Sequence, residues 1–296
     1  MGFFDRFYDV EWTVAFRPHE DRFDGPMSFR VMKNTWRYWC ADPFPFDHDG
    51  KTYVFMEVAD KTTQKGMIGY RVIEDGKVSP IRICIKTPHH MSYPMIFTRG
   101  EEIYMIPECF ESKRLTVYRA VAFPDRWEPC ETILEDKMVC DTNYLSIDGN
   151  EYLLTMPLGG KKFCYDRLEL YQKSPEGRWQ LCPVSPLILG EDRARNAGHF
   201  FFHQGQLIRP SQNCGTSYGE EVLLNRVDQL HEDGYRETLW KRIGIDDIQT
   251  DRNDFDGIHT FNRSASYDVI DLRKQRSFQP ARLIYFIQNK MKRFDK

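Results

Sequence analysis

Carboxylates recur at equivalent positions along this chain. Asp42 and Asp141 each lie eight residues before a glycine that can form a hairpin turn, whereas Glu57 and Glu108 lie seven or eight residues after one. In an antiparallel hairpin these two offsets return to the same end of the sheet. The four carboxylates are therefore predicted to share one rim. There, Asp42 could act as a general base or nucleophile, and Glu108, with a raised pKa, as the acid.

Other side chains that can bind a sugar or a phosphate occur near the same strand ends. Aromatic rings can stack on a sugar, histidines can bind hydroxyl or phosphate groups, and the planar fork of arginine suits phosphate. Each of these residues can also have a purely structural role, such as a hydrogen bond within its own loop. The predicted substrate-binding residues are Trp39, Glu57, His90, Tyr93, Arg195, Arg209, Gln212, Tyr218 and His259, and the predicted catalytic residues are Asp42, Glu108 and Asp141.

The elements that would position these residues are four similar hairpins. Their turn glycines are Gly50, Gly100, Gly149 and Gly205, at spacings of 50, 49 and 56 residues. A period of this length indicates a stacked or radial repeat. A second alternating segment follows each hairpin, so one unit contains four short strands, as in a propeller blade.

A fifth, irregular unit begins at Gly257 with GIHTFNRSASYDVIDL. The strand-like segment EWTVAFRP, from Glu11 to Pro18, has no unit of its own. We expect it to complete the fifth unit and close the ring. The predicted fold is an all-β, five-bladed β-propeller over residues 1–281, closed by an N-terminal strand and followed by a short C-terminal helix.

Residues 282–296 have a different pattern from the rest of the chain. Apolar residues recur there at helical spacing, with basic residues around them. One interpretation is a helix packed on the side of the propeller, and the other is a basic amphipathic helix on an anionic membrane surface. The apolar residues are Leu283, Phe286, Ile287, Met291 and Phe294, and the basic ones are Arg282, Lys290, Lys292 and Arg293.

Composition excludes several classes of protein. A net charge of −3 argues against a general nucleic-acid binder. The eight cysteines form no CxxC motif, and no His or Cys spacing indicates a metal site, so we expect reduced thiols, no metal and no cofactor. The N-terminus lacks the apolar core of a secretory signal. The sequence therefore predicts a cytoplasmic protein, which the second interpretation of the tail would place at the inner face of the membrane.

Seven motifs in order resemble one known family: WCADPFPF, HHMSYPMIF, IYMIPE, LTVYRAVAFPDRWE, RNAGHFF, LIRPSQNCGTSYG and GIHTFN. They are similar to the N-terminal propeller domain of plant glucosamine inositolphosphorylceramide transferases and to freestanding bacterial relatives encoded among surface-polysaccharide genes. In the plant proteins a separate C-terminal glycosyltransferase domain is the recognised catalytic unit. The resemblance thus implies a fold and a glycan context more strongly than an activity of the propeller itself.

The architecture also resembles the five-bladed glycoside hydrolases of families 32, 43 and 68, whose first-blade aspartate serves as base or nucleophile. Asp42 matches that position. By the same resemblance Asp141 would be the auxiliary aspartate and Glu108 the acid, although their order in the blades differs from those families.

Three functions remain open from the sequence. The first is a glycosyltransferase of surface-glycan or glycolipid assembly that uses a phosphate-activated sugar donor, with Asp42 as base and Arg195, Arg209 and His259 on the donor phosphates. Its acceptor could be linked to a lipid and reached through the tail. The second is a glycosidase or transglycosidase with Asp42 and Glu108 as the carboxyl pair. The third is a non-catalytic glycan-binding module.

Overall fold

The computed structural model describes residues 7–159, 166–215, 217–252 and 254–294. They form five antiparallel sheets arranged around a central channel, which confirms the predicted five-bladed β-propeller. The first strand of each blade lies at the channel. The N-terminal segment provides strands β1 (Tyr8–Pro18), β2 (Met27–Ser28) and β3 (Arg30–Val31).

Blade one begins with a hairpin whose turn contains Asp49 and Gly50, both at positive φ. This backbone conformation matches the twist of the flanking strands and explains the Asp-Gly sequence. Strands β4 to β7 pair in order, and β8 pairs with β6. The strands are β4 (Tyr38–His48), β5 (Lys51–Asp60), β6 (Lys65–Glu74), β7 (Lys77–Val78) and β8 (Arg82–Ile85).

Blades two and three repeat this order. Blade two contains β9 (Ser92–Arg99), β10 (Glu102–Glu108), β11 (Arg114–Ala122) and β12 (Arg126–Glu135), with a 3₁₀ turn at Phe110–Ser112. Blade three contains β13 (Val139–Ile147), β14 (Asn150–Pro157), β15 (Arg167–Lys173), β16 (Trp179–Leu181) and β17 (Leu187–Ile188), the last of which pairs with β15.

Blade four contains β18 (Phe201–His203), β19 (Gln206–Asn213), β20 (Glu221–His231) and β21 (Gly234–Gly244). A 3₁₀ turn at Ile245–Asp247 leads to β22 (Ile248–Gln249), which pairs with β2 in a small parallel sheet. Blade five contains β23 (Gly257–Arg263) and β24 (Tyr267–Phe278) from the C-terminal part, and β1 and β3 from the N-terminal part.

Ring closure therefore depends on the pairing of β1 with β24. Their register runs from Tyr8 opposite Phe278 to Pro18 opposite Tyr267. The prediction that the Glu11–Pro18 segment completes blade five is confirmed.

The core lies between neighbouring blades, because both faces of each sheet are covered. Aromatic rings fill the seams: Phe44 of blade one packs on Tyr93 of blade two at 4.8 Å between centroids, and Phe97 packs on Tyr144 of blade three at 4.2 Å. Such pairs bury large apolar area with defined geometry. The blades are thus fixed relative to one another, and the inner strands hold their side chains at set positions in the channel.

Helix α1 (Pro280–Phe294) follows β24. Phe286 packs edge-on against Phe7 at 5.7 Å, and Arg282 forms an ion pair with Asp9 at 2.6 Å. Within the described residues, no helix has the length and hydropathy needed to cross a membrane.

Candidate functional site

The inner strands of blades one, two and three carry the same local distortion at one end of the channel, and blade four has a positive-φ glycine just before its inner strand. Asp42, Tyr93 and Asp141 have φ values of 49°, 44° and 47°, and Gly198 occupies the equivalent place in blade four with a φ of 148°. The strand register shifts at this point in blades one, two and three, as in a β-bulge. Residues other than glycine rarely adopt positive φ, so neighbouring contacts must hold it here. We call this end of the channel the mouth, and the opposite end the turn end.

Side-chain carboxylates provide those contacts by accepting the bulge amides of the next blade. Asp271 Oδ2 of blade five accepts the Asp42 N–H at 2.9 Å, and Asp42 Oδ2 accepts the Tyr93 N–H at 3.2 Å. Glu108 Oε2 accepts the Asp141 N–H at 3.1 Å. Three acids thus join successive blades around the mouth, and buried amides that the bulges remove from the ladder are satisfied.

Tyr93 extends this network across the channel to blade four. Its hydroxyl accepts the Gly198 N–H at 2.9 Å and donates to Asn143 Oδ1 at 3.3 Å. Asn143 Nδ2 in turn donates to the Gly198 carbonyl at 2.8 Å. Tyr93 is fully buried. Its position indicates a structural role for the phenol beneath the site rather than direct exposure to a ligand.

His259 lies between two carboxylates. Its Nε2 is 3.1 Å from Asp42 Oδ1, and its Nδ1 is 2.8 Å from Asp271 Oδ1. Burial lowers the pKa of an imidazole, but the two carboxylates outweigh burial and raise the pKa of His259 to about 10. His259 is therefore an imidazolium cation at neutral pH, held in place on both sides.

Asp42 and Glu108, two of the three carboxyl groups predicted to be catalytic, have pKa values shifted in opposite directions. Burial alone would raise the pKa of Asp42, but the hydrogen bond and charge of His259 and the charge of Arg195 hold it below its usual value. Burial, together with the neighbouring Asp141 carboxylate, raises the pKa of Glu108 well above its usual value. The surroundings of Asp42 thus favour its ionised form, and those of Glu108 favour its protonated form.

Glu57 and His90 form a second pair at the mouth. His90 Nδ1 accepts the Gly66 N–H at 3.0 Å, which assigns the proton to Nε2, 3.2 Å from Glu57 Oε1. Burial raises the pKa of Glu57, against the effect of His90. Gly66 has no space for a side chain, since a Cβ there would lie 2.6 Å from Glu57 Oε1 and 2.5 Å from the Met91 carbonyl oxygen.

A cation and three rings line the opposite side of the mouth. Arg195 forms an ion pair with Asp141, and its guanidinium stacks on the Tyr218 ring at 4.8 Å. Tyr218 packs against Trp12 at 5.9 Å, and Trp12 stacks on His259 at 3.9 Å between centroids. Because Trp12 belongs to β1, the closing strand contributes directly to the wall of the site.

The structure places eight of the predicted residues at the mouth: Asp42, Glu57, Glu108, Asp141, His90, Arg195, Tyr218 and His259. The prediction that Arg209 binds substrate at this rim has to be corrected. Its guanidinium is fully buried inside blade four, where it donates two bonds of 2.7 Å to Glu237 and one of 3.0 Å to Asn196 Oδ1. It lies only four residues after its turn glycine, halfway along β19, so the offset that places the other residues at the rim does not apply to it.

Gln212 and Trp39 have supporting positions. Gln212 is fully buried, and its Nε2 donates to the Asn196 carbonyl at 2.9 Å while its own N–H donates to the Arg195 carbonyl at 2.8 Å. It therefore positions the loop that carries Arg195. Trp39 is half-buried on β4, opposite Ala59 and three residues before Asp42.

Two residues that matter at this site were not identified from the sequence. Asp271 lies in the apolar segment YDVIDL and is fully buried. Because a buried carboxylate is almost always paired, an aspartate in such a segment indicates a hydrogen-bonding or charged partner nearby. Trp12 lies in the predicted closing strand, so its approach to the mouth follows once blade five is assembled from both ends of the chain.

Within the part of the chain that the structure describes, two groups of side chains have the spacing of metal ligands. Asp42, His259 and Asp271 form one, and Glu108, Cys140 and Asp141 form the other, with ligand atoms within 4.8 Å of one another. The first group does not fit a cation, because both nitrogens of His259 face carboxylates and the ring itself carries the positive charge. In the second, burial raises the pKa of the Cys140 thiol well above its usual value, which disfavours the thiolate that metals bind.

Comparison with known proteins agrees with this architecture. Over residues 31–277 the chain matches the model of the family described as glucosamine inositolphosphorylceramide transferase 1, N-terminal. Glucosamine inositolphosphorylceramide transferase 1 of Oryza sativa subsp. indica is 32% identical over 228 residues, which are 74% of this chain and 30% of that protein. The Arabidopsis thaliana protein of the same name is 31% identical over 242 residues, 79% of this chain and 31% of that one.

Among solved structures, the α-L-arabinofuranosidase catalytic domain of Coprinopsis cinerea is similar, with a TM-score of 0.56 over 89% of this chain and 97% of that one. At 13% sequence identity this likeness concerns the fold alone. The chain spans about a third of the length of the curated relatives it matches. The sequence match over most of the propeller shows that the chain belongs to the family of the N-terminal domain of glucosamine inositolphosphorylceramide transferase 1.

Proposed function

We propose that the mouth of the channel is the site of a carbohydrate-active enzyme, a glycosyltransferase of surface-polysaccharide or glycolipid assembly that uses a phosphate-activated sugar donor. The main support is the contrast between Asp42 and Glu108. Two carboxyl groups of one site whose pKa values shift apart can divide the work of acid and base between them.

Each residue then has a role that its surroundings support. Asp42 stays ionised beside His259 and can accept a proton from an acceptor hydroxyl or stabilise positive charge on the reacting sugar. Glu108 keeps its proton and can donate it to a leaving oxygen. Glu57 and Asp141 orient sugar hydroxyls.

The cations of the site suit a phosphate group on the donor. Both N–H groups of the His259 imidazolium are directed at Asp42 and Asp271, so His259 supplies positive charge rather than a hydrogen bond to a phosphate. The Arg195 guanidinium, whose charge acts on both Asp42 and Glu108, is the donor that could bind the phosphate oxygens. Charged donors of this kind form the stronger hydrogen bonds to phosphate oxygens. Arg209 is not part of this role, because Glu237 and backbone carbonyls already occupy its donors.

The family supports the glycolipid context. Its curated members are named as transferases acting on an inositolphosphorylceramide, and they share this domain with the chain. Since those proteins are about three times longer, the sugar, the acceptor and the transfer itself are part of the proposal for this chain.

A second candidate, a glycosidase or transglycosidase, is supported by the same ionised and protonated carboxyl pair, which is the arrangement that glycoside hydrolysis uses. The shared fold with an arabinofuranosidase is compatible with it.

One set of assays separates the candidates. The purified protein is incubated with nucleotide sugars and a glycolipid acceptor, and separately with aryl glycosides and oligosaccharides. A transferred sugar that requires the nucleotide donor supports the transferase, whereas hydrolysis without it supports the glycosidase. Binding of a glycan with no turnover of either substrate class would contradict both and leave a glycan-binding module.

A further inference from the structure

Exposed large apolar side chains gather at the mouth end of the propeller. Eight of them, exposed by between 37% and 72%, lie at or beyond the mouth: Tyr8, Trp36, Ile188, Tyr218, Phe278, Ile284, Tyr285 and Ile287. At the turn end, the exposed large apolar side chain among the described residues is that of Phe202, which is 60% exposed. Ile83, Leu181 and Trp240 lie along the outer strands between the two ends.

Strand register places these residues at the mouth. Trp36 lies just before β4 enters the channel, and Ile188 pairs with Arg167 at the mouth end of β15. Strand β24 runs toward the mouth, where its residue Arg273 pairs with Gly257 at the start of β23. Five more residues of β24 follow Arg273, so the strand continues past the mouth. Helix α1 therefore begins on the same side of the propeller as the site.

The helix has one apolar side against the propeller and another in solvent. Ala281 is buried and Phe286 packs on Phe7. Ile284 and Ile287, one turn apart, are 46% and 47% exposed. The helix is thus held on the domain while Ile284 and Ile287 keep nearly half of their surface exposed to solvent.

The charge of residues 282–296 indicates which kind of partner this end of the propeller could bind. Residues 282–296 contain five basic residues and one acidic residue, whereas the whole chain has a net charge of −3. Arg282 is paired with Asp9, and the other basic residues follow the exposed Ile284, Tyr285 and Ile287 in the sequence. A basic segment that also carries exposed aromatic and aliphatic side chains is typical of proteins that bind the surface of an anionic bilayer. Tyrosine and tryptophan are the rings favoured at such interfaces.

We propose that the mouth end, with Trp36, Ile188 and helix α1, rests on the surface of an anionic lipid bilayer. The channel then faces the membrane, and a lipid-linked sugar reaches Asp42 and Glu108 without leaving the bilayer. The identity of that substrate rests on the proposed function, but the membrane contact itself does not.

The test uses the full chain and vesicles of phosphatidylcholine, with and without a minor fraction of phosphatidylglycerol. The wild type is expected to sediment with the anionic vesicles, and less so as salt is raised, because charge attraction is screened within roughly 10 Å at 0.1 M salt. The double substitution Ile284→Ser and Ile287→Ser is expected to weaken partitioning by roughly tenfold. Phe202→Ser, which removes a still more exposed apolar side chain at the turn end, is the control and should bind as the wild type does.

Equal vesicle binding by the double variant and the wild type, or an equal loss in Phe202→Ser, overturns the proposal. So does a wild type that ignores vesicles but changes from dimer to monomer with the double substitution, since the surface would then be an interface between copies. Asp42→Asn should bind vesicles normally. A wild type that binds vesicles but transfers no sugar leaves the membrane contact in place and contradicts the proposed function instead.

Discussion

His259 and Asp42 meet 3.1 Å apart, Nε2 to Oδ1, at the seam between the last blade and the first. The same Asp42 carboxylate accepts the Tyr93 amide of blade two. The acid assigned to chemistry is therefore also a bond between three blades, and a substitution there affects both the site and the ring. Tests of function at this site need a readout of folding beside each readout of activity.

Asp42→Asn is expected to reduce turnover by about a hundredfold or more, because removal of a catalytic base commonly costs that much. The amide oxygen can still accept the Tyr93 N–H, but the amide NH2 then faces the N–H of His259. We therefore expect some loss of stability, while the folded ring and much of the ligand affinity should persist. Steady-state rates and ligand titration by calorimetry measure the two effects. Unchanged turnover in a folded variant would remove Asp42 from the chemistry.

Activity should fall as pH rises through the raised pKa of Glu108, because only the protonated form can donate to the leaving oxygen. In Glu108→Gln the side-chain oxygen can still accept the Asp141 N–H, but no proton can be given. The basic limb of the pH profile should therefore disappear along with most of the rate. A substrate whose leaving group needs no proton should restore part of it, and failure of such rescue would argue against the acid role.

His259 should stabilise the fold most at low pH. Its pKa is about 10 in the folded protein and about 6.5 when unfolded, so its contribution is complete below about pH 6.5 and is lost as pH rises toward 10. Urea unfolding of the wild type and of His259→Gln across this window measures it. The difference in free energy of unfolding between the two should shrink as pH rises, and a difference that is constant or grows contradicts the assignment of an imidazolium.

Gly66→Ala should displace Glu57 or His90, because the new Cβ would lie 2.6 Å from Glu57 Oε1 and 2.9 Å from His90 Cε1. We expect a loss of stability of about 1–3 kcal/mol, as for overpacking of a core, and weaker ligand binding. Gly244→Ala is the matched control, since nothing lies within 4 Å of a Cβ there. Thermal unfolding and ligand titration of both variants decide whether the close packing at Gly66 matters.

Arg209→Gln should mainly lower stability, whereas Arg195→Gln should mainly weaken ligand binding. The first leaves Glu237 buried without its partner and should lower the free energy of unfolding by about 3–5 kcal/mol. The second removes a cation at the mouth and should weaken binding of a phosphate-bearing ligand more than it affects stability. An Arg209→Gln variant that folds as well as the wild type but loses ligand binding would contradict the structural role assigned to Arg209 inside blade four.

The sequence predicted what depends on strand period and register. Asp42, Asp141, Glu57 and Glu108 were placed at one end because a strand residue's distance from its turn fixes its height along the channel. The direction in which a side chain points also depends on β-bulges and on contacts with neighbouring blades. The distance in sequence from the turn glycine carries no information about either. Asp271 pairs with groups 229 residues away in the chain, so its role could not be read locally.

The pairing of β1 with β24 also sets when the site can exist. Asp42 and its partner Asp271 are 229 residues apart in the chain, so Asp271 is synthesised long after Asp42, and bringing such distant segments together is a slow, entropically costly step. A nascent chain with four finished blades therefore has an open ring and no imidazolium at its mouth. The protein can bind a ligand at Asp42 only after its ring has closed. A ligand of this site would therefore bind selectively to chains whose propeller is fully assembled.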